Sequence, residues 1–179
     1  MRAFPLLALI LACSFKPELA HPVPPVVVES VFDAKWAGER VLFDKSENLL
    51  QTAAVSWTCR KTDPHRAVCE EELTYRDNGR ISAQRETGTS TWQFDYQDQG
   101  PVQLSRSAGS LTQKGQVRGS VIYVKGAGLI PRSNTTASVE TRIFGADLSG
   151  NRLVQVEIYT RYGIELGRSV TNWTRVDTR

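Results

Sequence analysis

Cys59 and Cys69 have nine residues between them with Pro64 midway, in the turn Thr62-Asp63-Pro64-His65. Two cysteines around a proline turn, in a chain with no C-x-x-C pair, form the pattern of a hairpin closed by its own disulfide. If Cys59 faces Cys69 without a bulge, the register follows. Trp57 then lies opposite Glu71, Val55 opposite Leu73 and Ala53 opposite Tyr75 on one face, while Ser56/Glu72 and Thr58/Glu70 share the other. Alternation therefore sends the middle of the acidic run Glu70-Glu71-Glu72 to the face carrying Trp57, Leu73 and Tyr75. A carboxylate held beside an indole with little water has a raised pKa, recruits an arginine, or binds something polar. Glu71 is thus a candidate polar anchor in a ligand cavity, or else a paired or solvated residue near the hairpin end.

Other chemistry has less support. His65 sits on the disulfide turn beside Asp63 and Arg66, but the sequence carries no G-x-S-x-G, H-E-x-x-H, G-x-x-x-x-G-K-[ST] or G-x-G-x-x-G. With two histidines, His21 and His65, a zinc cluster lacks ligands at usable spacing, and neither metal nor cofactor is expected. The expectation is binding rather than catalysis. Phe32, Trp36, Trp57, Tyr75, Trp92, Phe94, Tyr96, Tyr123 and Trp173 are read as inward-facing; of these, Trp57, Tyr75, Trp92, Phe94 and Tyr123, with Glu71, are the candidate ligand-binding set. The alternative is that they are simply core. The apolar segment Gly126–Pro131 reads as a glycine-hinged loop, and Leu129 and Ile130 on it are candidate partner contacts.

The elements that must position these residues are strands. From Val26 onward, apolar and polar residues alternate with period two, and helical periodicity is absent. Candidate strands are Val26–Ala34, Arg40–Asp44, Thr52–Lys61, Arg66–Arg76, Arg80–Gly88, Thr91–Gln97, Val102–Ser107, Gln116–Lys125, Thr136–Phe144, Arg152–Arg161 and Gly167–Asp177, separated by Gly-, Asn-, Asp- and Pro-rich turns. In Leu153–Arg161, Val154, Val156, Ile158 and Thr160 alternate with Gln155, Glu157, Tyr159 and Arg161, so one face is wet. Short turns between half-buried strands imply an antiparallel meander, since parallel strands need long crossovers. About ten such strands would leave bare edges unless the sheet closes, so an all-β, up-and-down barrel is expected, with a β-sandwich as the alternative. In its antiparallel meander and length the chain resembles the calycins, the lipocalins and their relatives. It departs from the lipocalin G-x-W signature, Trp36 being followed by Ala37-Gly38.

The chain has 179 residues, 40% hydrophobic and 23% charged, with a formal charge of +3. That length suits one domain, assigned to residues 26–179, and the charge gives no basic field for nucleic acid. Ala3 to Ser14 is an apolar run behind Arg2, long enough for a signal-peptide core and too short for a membrane span. Cleavage after Ser14 or Ala20 is one outcome. The other is lipidation at Cys13, because Ile10-Leu11-Ala12-Cys13 resembles a bacterial lipobox. Residues 15–25 then form a proline-rich tether. The expected location is the periplasm or outer membrane if the source is bacterial, and otherwise the medium. Two functions follow: an exported carrier of a small apolar or amphipathic ligand, or an envelope interaction protein, such as an assembly lipoprotein or enzyme inhibitor, that works through its loops.

Overall fold

The structure, a computed structural model, describes residues 28–77, 80–96, 101–129, 135–145 and 150–176. The apolar segment 3–14, Cys13, the tether, Ile130 and Pro131 lie outside the described residues. A short helix α1 (Val28–Phe32) precedes ten strands: β1 (Lys35–Asp44), β2 (Leu49–Asp63), β3 (Arg66–Asp77), β4 (Arg80–Asp95), β5 (Gln103–Ala108), β6 (Leu111–Arg118), β7 (Val121–Leu129), β8 (Thr136–Gly145), β9 (Arg152–Arg161) and β10 (Ile164–Arg175). Each strand pairs antiparallel with the next, and β1 pairs with β10, so the sheet closes into an up-and-down barrel. Closure leaves no open sheet edge between the first strand and the last, which is the solution expected of so many short-linked strands.

The β2–β3 hairpin has the register that the cysteines imply. Cys59 is bonded to Cys69 with Cα atoms 4.0 Å apart, and Trp57 faces Glu71, Val55 faces Leu73 and Ala53 faces Tyr75. Four features differ from expectation. Val28–Phe32 is a helix, because Val28, Val31 and Phe32 have the i, i+3, i+4 spacing of a helical stripe and all three are buried. Arg80–Gly88 and Thr91–Gln97 merge into one strand, β4, ending at Asp95, since Thr89-Ser90 breaks nothing. Gln116–Lys125 spans a hairpin instead of a strand; Gly119, at φ 56°, makes its turn. Finally, Gly126–Leu129 is the end of β7 and not a hinged loop. A Cβ on Gly126 would lie 1.7 Å from the Thr112 carbonyl oxygen, so this glycine permits close strand approach rather than motion.

The two ends of the barrel differ. Odd-numbered strands run from the end occupied by α1 to the opposite, open end. At the closed end Phe32 is fully buried, with its ring centroid 5.7 Å from Trp57, 4.7 Å from Trp92 and 5.0 Å from Phe94. Trp36 donates its indole N–H to the Val31 carbonyl, which ties the helix to β1. Trp173 packs 5.7 Å from Trp57 and completes an aromatic plug. Toward the open end the lining changes character: Gln113, Thr141, Gln155, Glu157, Ser169 and Thr171 are all buried.

Candidate ligand cavity and its buried charge network

Alternation in β9 holds, but its buried side is the polar one. Gln155, Glu157 and Tyr159 point into the barrel, and Val154, Val156 and Ile158 are half-buried on the outside. A buried carboxylate is tolerable only if paired and hydrogen-bonded, and the barrel supplies those partners from three other strands and from β9 itself. Arg106 of β5 reaches across with Nη1 3.2 Å from Glu157 Oε1. Gln155 and Thr141 donate to the same oxygen, at 3.1 and 3.4 Å. Oε2 accepts from the Tyr159 hydroxyl at 2.9 Å and from Ser169. Gln113 accepts from Arg106 and donates to Thr141 and to the Val139 carbonyl. Arg106 also lies over the Trp92 ring, 5.3 Å from its centroid, so the network rests on the aromatic plug.

A second pair lies beside this one. Arg40 of β1 donates Nη2 to Glu71 Oε1 at 2.5 Å and Nε to Thr171 at 3.1 Å. Glu71 thus takes the arginine option among those open to a carboxylate beside an indole. Burial by itself would lower the Arg40 pKa, but the carboxylates of Glu71 and Glu157 outweigh it and hold the guanidinium above its ordinary value. Burial likewise pushes the Glu157 carboxyl up, while Arg40, Arg106 and the Tyr159 hydroxyl bring it down to about 2. Tyr159 is raised by burial and then by Glu157. Arg40 and Glu157 are therefore both ionised at neutral pH.

Above this floor is a cavity of about 230 Å³. Leu42, Ala53, Leu73 and the Tyr75 ring form its walls, Arg40, Tyr159 and Ser169 its polar side, and Leu50, Gln51 and Thr52 its rim. The Tyr75 hydroxyl donates to Glu86 at 2.8 Å. Arg40 Nη1 has no protein acceptor among the described residues, so a strong donor is left at the cavity. Large apolar side chains stand exposed around this same end, with Leu49 and Leu50 at the start of β2, Leu129 at the end of β7, Tyr162 on the β9–β10 turn, and Ile164 and Leu166 at the start of β10. A larger hollow of about 600 Å³ lies toward the closed end, lined by residues of β4, β5 and β6, among them Gln93, Ser105 and Lys114, and by the β2–β3 turn.

Of the residues singled out in the sequence, Tyr75 lines the cavity, and Glu71 stands next to it through Arg40. Trp57, Trp92 and Phe94 do face inward, but they pack around Phe32 in the plug, away from the open end. Tyr123 is on the outer face, where it donates to Glu140; its neighbours Ile122 and Val124 are the ones that point inward. Tyr96 lies beyond β4, largely exposed, against His65 at 5.6 Å between ring centroids. His65 itself is at the closed end, its Nδ1 3.1 Å from the Phe94 carbonyl. Arg40, Arg106, Glu157 and Tyr159 have no motif. Their one signal is the polar alternation of β9, which tells of two faces and not which one is buried. Among the described residues no group of three or more His, Cys, Asp or Glu is arranged to hold a metal ion.

No family model matches this chain, and no curated protein sequence does. Among solved structures it is similar to the S-type phycobiliprotein lyase CPES from Guillardia theta, with a TM-score of 0.58 over 85% of this chain and 94% of that one, at 15% identity. At that identity the likeness is one of fold, here a closed ten-stranded antiparallel barrel.

Proposed function

We propose that this is an exported binding protein that holds a small apolar or amphipathic ligand in the open end of its barrel. The observation that carries the reading is the 230 Å³ cavity with leucine and tyrosine walls and an arginine at its floor that retains an unused donor. Apolar walls with few convergent polar groups characterise small-molecule sites, and this volume lies below the roughly 300–1,000 Å³ of drug-sized ligands. The ligand is therefore small, or its tail emerges past Leu50. Binding rather than catalysis is supported by the floor, where Glu157, Tyr159 and Arg106 are engaged with one another. Export is supported by the disulfide and by the apolar run behind Arg2. Calorimetry with a panel of medium-chain lipids, with Ala53→Phe as the filled-cavity control, tests the proposal. Binding that the variant abolishes is expected, and no heat from any member of the panel would overturn it. Intact mass of the native protein tests export through the position and modification of its first residue.

One observation favours a second reading. The exposed apolar side chains gather at the open end, Tyr162 at 89% and Leu49 and Leu50 at 60%, as a surface that docks on a partner would have them. An envelope interaction protein acting through these turns predicts that Leu49→Ser with Leu129→Ser abolishes capture of a protein partner and leaves the fold intact.

A further inference from the structure

The cavity lies beside two ion pairs. Around it the inner wall carries Arg40 from β1, Glu71 from β3, Arg106 from β5 and Glu157 from β9, two cations each in contact with one carboxylate. Among the described residues, the remaining titratable groups on this wall add no cation. Tyr159 and Tyr75 donate to Glu157 and Glu86, Glu86 is itself a carboxylate, and Asp44 at the mouth accepts from Ser46 and Asn48 within its own turn. At this level β2, β6, β7, β8 and β10 contribute uncharged side chains, among them Gln51, Ala53, Gln113, Thr141 and Ser169.

We propose that the ligand of this cavity is an uncharged amphiphile whose head is a hydrogen-bond acceptor, such as an ester, ketone or amide carbonyl received by Arg40 Nη1, and that the site rejects the matching carboxylate. This rests on the ligand-binding reading above. A carboxylate entering the cavity would add a charge with no further cation among the described residues to pair it, and it could reach Arg40 only in competition with Glu71. A neutral carbonyl takes the free N–H without disturbing either pair. Nor does the site adapt: Glu157 stays ionised down to about pH 2, and Arg40 is held in its charged form.

The test is calorimetric titration of the full chain with methyl octanoate and with octanoic acid, at pH 7.5 and at pH 4. The ester should bind about tenfold or more tightly than the acid at pH 7.5, since burying an unpaired charge costs well over the 1.4 kcal/mol of a tenfold change. The gap should close to within about threefold at pH 4, where the free acid, with a pKa of about 4–5, is largely protonated. Glu71→Gln frees one cation while keeping an acceptor for Arg40, and should shift the preference toward the acid; if that variant does not fold, the comparison of pH values decides by itself. An acid that binds as well as the ester at pH 7.5, or a preference for the ester that pH leaves unchanged, overturns the charge argument and spares the cavity. Failure of both compounds to bind overturns the ligand-binding reading and this inference with it.

Discussion

Glu157 ties stability to pH in a way that its geometry makes quantitative. The carboxyl titrates at about 2 in the folded chain against an ordinary value of 4.5, and at about 1.4 kcal/mol per pH unit of that difference its ionised form contributes about 3 kcal/mol. Because the folded value is the lower one, this stability is fully present above about pH 5 and is lost as pH falls toward 2. The perturbation is Glu157→Gln, which preserves shape and an acceptor for Tyr159 while removing the charge that Arg106 and Arg40 share. Stability measured by urea unfolding should fall by about 3 kcal/mol at pH 7, within the range for breaking a buried ion pair. The difference between the two proteins should then narrow steadily from pH 5 downward and become small near pH 2. A difference that stays constant across that range would refute the coupling of this carboxylate to the guanidinium groups. So would a variant as stable as the parent at pH 7.

Three further outcomes are expected. Reduction of Cys59–Cys69, or Cys59→Ser with Cys69→Ser, opens a loop with a sequence separation of 10 and should cost about 3 kcal/mol by the loop-entropy relation, read as a lower urea midpoint. Phe32→Ala leaves a void between Trp57, Trp92 and Phe94 and should destabilise by about 3–5 kcal/mol in thermal unfolding; a loss below about 1 kcal/mol would mean that α1 does not plug the barrel. Gly126→Ala forces a Cβ to within 1.7 Å of the Thr112 oxygen, whereas Gly88→Ala meets nothing within 4 Å. The first should cost several times more stability than the second, which should stay within about 0.5 kcal/mol of the parent.

The β2–β3 hairpin was legible to the side chain because a covalent bond and a period of two together leave one register. Closure of the barrel was legible, with a β-sandwich as the alternative, from many half-buried strands and short turns, whose edges closure satisfies. The errors have local causes. The five-residue helix at Val28–Phe32 is too short for its period to stand out from a strand. The turn at Gly119 is hidden by flanking residues, Gln116 to Arg118 and Val121 to Tyr123, that suit strands on either side.

The site was less legible. The sequence by itself determined an all-β meander, the pairing of Cys59 with Cys69, and the placing of Glu71 on an apolar face. Only the tertiary structure decided which face of β9 is inside. Arg106 and Glu157 are 51 residues apart and Arg40 and Glu71 are 31 apart, and a carboxylate can enter a barrel only when its cations arrive there too. Alternation is a property of one strand. Compensation of buried charge is a property of the closed barrel, which brings β1, β3, β5 and β9 around one interior.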